Sequence, residues 1–228
     1  MRLTKRKLAA GLLALLFAAF LALGFWQVER RAWKLQLIDR VESRVHAAPV
    51  DAPARLGDDE YRHVRASGRY LYDKQVFTQA VTERGAGFWV LTPLQRADGS
   101  VLLINRGFVL PEDRSHVASG PNGEVAVTGL LRLSEPKGGF LRSNDAVHSL
   151  WYSRDVAAIA QAASLQNVAP YFVDADRTDA EASPIGGLTV ITFHNSHLVY
   201  ALTWFALALM SAFGAWRVLQ DRQDAQAA

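Results

Sequence analysis

Two stretches of this 228-residue chain carry no charge over about the width of a bilayer, and polar and apolar positions mix everywhere between them. Leu8 to Trp26 (LAAGLLALLFAAFLALGFW) and Leu198 to Trp216 (LVYALTWFALALMSAFGAW) each run 19 residues without Asp, Glu, Lys or Arg. As helices they would be roughly 28 Å long, close to the hydrocarbon thickness of a membrane. Both patterns predict spanning helices. After the first, apolar positions at Val28, Trp33, Leu35, Leu37, Ile38, Val41 and Val45 keep a helical rhythm among charges, so the helix is expected to continue beyond the membrane. HAAPVDAPARLGDDE, with two prolines and a glycine, then breaks it.

From Tyr61 the pattern is one of strands. YRHVRASGRYLYD, QVFTQAVTE, GFWVLTPLQ, SVLLINRGFVL, EVAVTGLLRL, VAPYFVDA and GLTVITF are short runs rich in β-branched and aromatic residues, separated by turn signals. Their regular spacing favours antiparallel hairpins. One soluble helix is expected over residues 153–165, capped by Ser153 or Asp155, with Val156, Ile159, Ala160 and Ala163 as its apolar stripe. The tail DRQDAQAA is expected to fray. The chain thus divides into a head (1–7), a first span (8–26), a central domain (27–197), a second span (198–216) and a tail (217–228). The predicted class is a membrane protein whose two transmembrane helices flank an α+β, mainly antiparallel β domain, a curled sheet or small barrel packed with one helix.

Charge and composition refine this picture. Arg2, Lys5, Arg6 and Lys7 form a basic head that a cleaved signal peptide would share, but the apolar run exceeds a signal core of about 7 to 15 residues. The aromatic and basic residues of FWQVERRAWKLQ carry it on as an interfacial belt, which favours a retained anchor. Positive charges around the first span tie, whereas Arg217 and Arg222 follow the second, so both termini are placed inside and the central domain in the periplasm of a bacterial inner membrane. The absence of cysteine means the domain is stabilised by its own core, and removes thiolate chemistry. A net charge of +3 suits lipid headgroup contact and gives no reason to expect nucleic acid.

Catalytic motifs are missing: there is no HExxH, no GxSxG and no phosphate-binding glycine loop, and the expectation is that the chain is not an enzyme. Asp58, Asp59 and Glu60 sit in a loop and read as solvated surface, while His46, His63, His116 and His148 are scattered and read as structural. In INRGFVL, Arg106 suits an internal ion pair or a carboxylate, and Gly107 serves the backbone. Polar residues gather at the membrane surface. Trp26 and Trp33 share a helix face amid Gln27, Arg30, Arg31 and Lys34, and on the second span His197, Tyr200, Ala201, Trp204 and Ala208 share another, its alanines small enough to admit a partner helix or a flat ligand. His197 reads either as an interfacial histidine capping a helix or as a haem ligand, with the arginines suited to propionates.

GFWQVERRAWK, GFWVLTPLQRADGSVLLINRGFVL, LWYSRDVAAIA and NSHLVYALTWFALA, in that order, closely resemble the surfeit locus protein family over nearly the whole chain. The resemblance implies two transmembrane helices around a large outer domain, and a role in assembling haem-copper cytochrome c oxidase by binding haem a transiently and helping its insertion into subunit I. The histidine of the HLxYAxTW motif, His197, is the implied haem residue and iron ligand, and the tryptophan of GxWQ maps to Trp26. Arg30, Arg31, Tyr200 and Trp204 complete the candidate site, with Tyr200 and Trp204 weighing toward packing. Phe108 stands at the tryptophan position of NRGW, and Ala146 where relatives often carry proline; neither change is expected to matter. Implied partners are oxidase subunit I, haem A synthase as a second candidate, and membrane lipid. The alternative is a scaffold that steadies subunit I or the synthase without binding haem. A copper-delivery factor is disfavoured by zero Cys and two Met, and a sensor by the 12 residues after Trp216.

Overall fold

A helix of 44 residues, α1 (Arg2–Val45), opens the chain, and one of 31 residues, α3 (His197–Ala227), closes it. The structure, a computed structural model, describes residues 2–117, 120–139, 141–177, 183–189 and 193–227, with side chains over 5–220. It divides into two units, Met1–Arg40 with Thr192–Ala228, and Val41–Ile191.

In the first unit both helices are long and apolar enough to cross a membrane, with mean hydropathy of 2.5 and 1.8 over their best windows. Only 6% and 17% of those windows is buried within the protein, so neither is the core helix of a soluble domain. Leu8, Leu12, Leu15, Leu202, Leu209 and Phe213 all point outward. α1 runs unbroken through the polar segment after Trp26, as its helical rhythm predicts. α3 continues to Ala227 through the tail expected to fray, because LQDRQDAQA consists of residues that tolerate or favour helix.

The second unit is built on a seven-stranded sheet: β1 (Val50–Asp51), β2 (His63–Tyr70), β3 (Val76–Thr82), β4 (Gly85–Gln95), β5 (Val101–Val109), β6 (Glu124–Leu133) and β7 (Val168–Ala175). The spatial order is β1-β2-β6-β7-β5-β4-β3, and a further β2–β4 pairing of Arg69 and Tyr70 with Gln95 and Leu94 closes five strands into a barrel. The sheet is mixed. β7 inserts between β6 and β5 and runs parallel to β5, and β1 runs parallel to β2, two parallel pairings within the mainly antiparallel sheet that was expected. The physical reason lies in β5, whose every residue but Arg106 is buried. Leu102 and Ile104 face the barrel interior with Val64, Leu94, Leu131, Tyr171 and Val173, while Val101 and Leu103 face α2 with Leu91, Trp151, Ile159 and Phe172. A strand covered on both faces takes a central position, where a parallel neighbour is stable.

α2 spans Val156–Ala162, shorter than the 13 residues expected. The Asp155 side chain accepts from Ala158 N–H at its start. Its end is a left-handed turn at Ser164 (φ 51°), where Leu165 N–H donates to the Ala160 carbonyl and the Leu165 side chain folds into the core. Of GLTVITF, expected as the last strand, residues 187–189 and 193 lie outside any strand and 190–192 lie outside the described residues.

Candidate functional site

Along α3, His197, Ala201, Trp204, Ala208 and Ser211 follow one another at spacings of four and three, the positions that meet a partner helix. Ala201, Ala208 and Ser211 are buried. On α1 the matching row is Phe20, Gly24, Gln27, Arg31 and Lys34. Phe20 stacks on Trp204 with ring centroids 5.6 Å apart, and Phe25 meets Phe205 edge-on at 5.5 Å. A Cβ at Gly24 would lie 2.4 Å from the Phe205 ring, so only glycine permits this approach. The alanines therefore seat the partner helix, and the seam is filled by protein side chains.

At the polar end of the seam stands His197. Gln27, only 9% exposed, accepts from His197 Nδ1–H through its Oε1 at 2.7 Å. Asn195 Oδ1 accepts from the His197 backbone N–H at 3.4 Å, and Lys34 Nζ donates to the His194 carbonyl. The Gln27 and Lys34 bonds tie the start of α3 to α1, and the first sets the imidazole's tautomer: with the proton on Nδ1, the lone pair is on Nε2, which has no hydrogen-bond partner among the described residues. A half-buried imidazole with one nitrogen held and the other free has the donor arrangement of a metal-binding histidine. His197 thus anchors the helix pair and keeps one ring nitrogen unpaired among the described residues.

The other candidate residues are placed as follows. Trp26 and Tyr200, each 53% exposed, border the seam, offering aromatic surface outward on either helix. Arg30 is exposed and lies 4.0 Å above the Trp33 ring; Arg31 is half-buried. Trp204 packs inside the seam. Gln27 and Lys34 hold the site together although neither stood among the candidates; the one signal for Gln27 is an uncharged polar side chain directly after an apolar run, in GFWQ.

In the β unit several polar residues make internal, structural contacts. Asn105 pairs across strands with Asp174, which is 3% exposed and accepts from Asn105 Nδ2 (2.7 Å), Thr189 Oγ1 (2.9 Å), Arg154 Nη1 (3.1 Å) and Arg132 Nη1 (3.3 Å). Arg106 lies 5.1 Å from the Tyr72 ring and donates to Gln75 Oε1. A Cβ at Gly107 (φ 135°) would strike the Ile185 carbonyl, and Phe108 is buried edge-on to Trp89. Asp59 is not the solvated acid expected: it is buried and held below the usual carboxylate range by hydrogen bonds from Arg62 and the Gly57 N–H, against the opposing effect of burial. His63 bridges the Ala47 carbonyl and Asp176 Oδ2, both at 2.9 Å.

The SURF1 family profile matches residues 14–209. Surfeit locus protein 1 of Xenopus tropicalis is 33% identical over 89% of this chain and 73% of its own length. The Rattus norvegicus protein of that name is 36% identical over 86% of this chain and 71% of its own, and that of Homo sapiens 36% over 84% and 71%. With a match that covers both apolar helices' seam and the whole barrel, the chain belongs to the SURF1 family.

Proposed function

We propose that the protein spans the membrane through α1 and α3 and serves as an assembly factor for haem-copper cytochrome c oxidase, holding haem a at the seam and assisting its transfer to subunit I. The observation that carries the reading is the Gln27–His197 hydrogen bond, which leaves Nε2 of His197 available as an axial ligand. Membership of the SURF1 family supports the assembly theme. The outward leucines of both helices support membrane insertion, since their transfer to lipid stabilises by ~25 cal/mol per Å² of apolar surface. Contacts of Gly24, Phe20 and Phe25 with α3 support α1 as a retained anchor.

The residues present fit haem a as cargo at the seam's outer margin. His197 supplies the axial nitrogen, Trp26 and Tyr200 supply exposed aromatic surface, and Arg30 and Arg31 supply cations for carboxylates. Because Phe20, Trp204 and Phe205 fill the seam, the apolar tail of the cargo belongs against lipid-facing surface. The setting is a bacterial inner membrane with the barrel in the periplasm, and the partners are oxidase subunit I, haem A synthase and lipid. A scaffold without haem is the competing reading, favoured by the closely filled seam itself.

A deletion strain tests the assembly role. The expected outcome is loss of most cytochrome c oxidase activity and of haem a in subunit I, restored by the intact gene. Normal oxidase in that strain contradicts it.

A further inference from the structure

The β unit holds a second site, independent of the helix seam. A cavity of about 550 Å³ opens below the β3–β4 hairpin, lined by Arg84, Arg132, Arg154, Arg177, Trp89 and Asp174, with Val81 and Leu188 among its apolar edges. Its volume falls in the ~300–1,000 Å³ range of small-molecule sites. Four guanidinium groups face it against two carboxylates, Asp174 and Glu83.

Of the two acids Asp174 is already committed, and Glu83 stands exposed at the rim, leaving the arginines in excess. Asp174 receives four donors on its two oxygens, and Glu135, behind Arg154, is gripped by that guanidinium. Burial works to raise Glu135 but the Arg154 hydrogen bonds hold it below the usual range, so it stays charged and neutralises Arg154. Arg84 and Arg177, both exposed, pair with no acid among the described residues. Arg132, which also lines the cavity, donates to Asp174 through Nη1 and keeps its Nε buried, with Glu60 Oε1 3.9 Å away. Two exposed guanidinium groups without an acid partner among the described residues, at a cavity whose buried carboxylate is already saturated, form an arrangement that an oxyanion completes. Trp89, half-buried and 5.9 Å from the Arg154 guanidinium, adds a ring against which an apolar body packs.

We propose that this cavity binds an oxyanion on an apolar body, a phosphate ester or its close equivalent, with Arg84 and Arg177 gripping the anion at the mouth and Trp89 contacting the body. Such a group comes either from a soluble phosphate ester or from the headgroup of an anionic lipid.

The test titrates phenyl phosphate against the detergent-purified full chain by calorimetry at constant ionic strength, with inorganic phosphate alongside, and repeats the titration in nanodiscs of phosphatidylcholine with and without phosphatidic acid. Saturable binding of phenyl phosphate, tighter than inorganic phosphate and weakened at least tenfold in the R84A/R177A variant, is expected. Both arginines are exposed, and an unchanged circular dichroism spectrum of the variant separates lost binding from lost fold. Competition by phosphatidic acid assigns the site to a lipid headgroup, and its absence to a soluble ester; either outcome agrees with the oxyanion site. Absence of saturable binding in both settings, or binding unchanged in R84A/R177A, overturns it. Haem content of the purified protein plays no part in this readout, so the two sites stand or fall separately.

Discussion

Gln27 shows what one polar residue does at the border of an apolar helix. Its side chain is buried, and an unpaired amide there would cost about 1–3 kcal/mol. The bond to His197 removes that cost and orients the imidazole at the same time. A hydrogen-bond partner of a metal-binding histidine typically changes metal affinity by about ten- to a hundredfold. Gln27→Leu is therefore expected to keep the helix pair, since leucine fills a similar volume, while lowering haem a occupancy of the purified protein by at least tenfold. Unaltered occupancy, measured by absorbance, would show that Nε2 needs no such support. Its lack of charge sets Gln27 apart from Arg30, Arg31 and Lys34 beside it, but does not by itself say what the side chain meets. Its importance comes from the seam row Phe20, Gly24, Gln27, which is visible only once the partner helix is known.

At the scale of elements, β6 and β7 coincide with the runs EVAVTGLLRL and VAPYFVDA, because each is bounded by breaks in its pattern. The parallel pairing of β5 with β7 was not legible: it follows from VLLIN being buried on both faces, and a continuous apolar run does not say which strand will lie beside it. The early end of α2 was hidden for a related reason, since Ser164 occupies the left-handed position that glycine usually announces. His63 joins several of these elements, linking the start of β2 to Asp176 just after β7 and to the Ala47 carbonyl before β1. Burial lowers its affinity for a proton, but the two acceptors outweigh it, and its pKa is raised above 6.5. A raised folded-state value means the stabilisation is complete below the unfolded value of about 6.5 and is lost as pH rises through the folded one. Thermal unfolding of the full chain in detergent should accordingly shift to lower temperature from pH 6 upward through neutrality. His63→Gln should flatten that dependence and destabilise at pH 6 by about 1 kcal/mol, as expected for exchanging a charged hydrogen bond for a neutral one. An unchanged slope would mean that His63 is neutral.

Across the whole molecule, the two units present different chemistry. The helix pair is apolar outside and polar at one end, where His197 stands with a free Nε2. The barrel unit buries its charges in pairs around Asp174 and keeps an arginine-lined cavity. The helices and the barrel class were readable from hydrophobic pattern. The choice for His197 between anchor and ligand was posed by its position at the head of α3, and the structure gives its two ring nitrogens different surroundings, Nδ1 bonded to Gln27 and Nε2 without a partner among the described residues. The proposed function has the His197 ring bind haem a. It is tested most directly by the visible absorption of protein purified from a haem A-producing cell: the intact protein should carry a haem a band, and His197→Ala should lose it while remaining folded and membrane-inserted. Intact protein that never carries haem, or a His197→Ala variant with an undiminished band, would contradict the account.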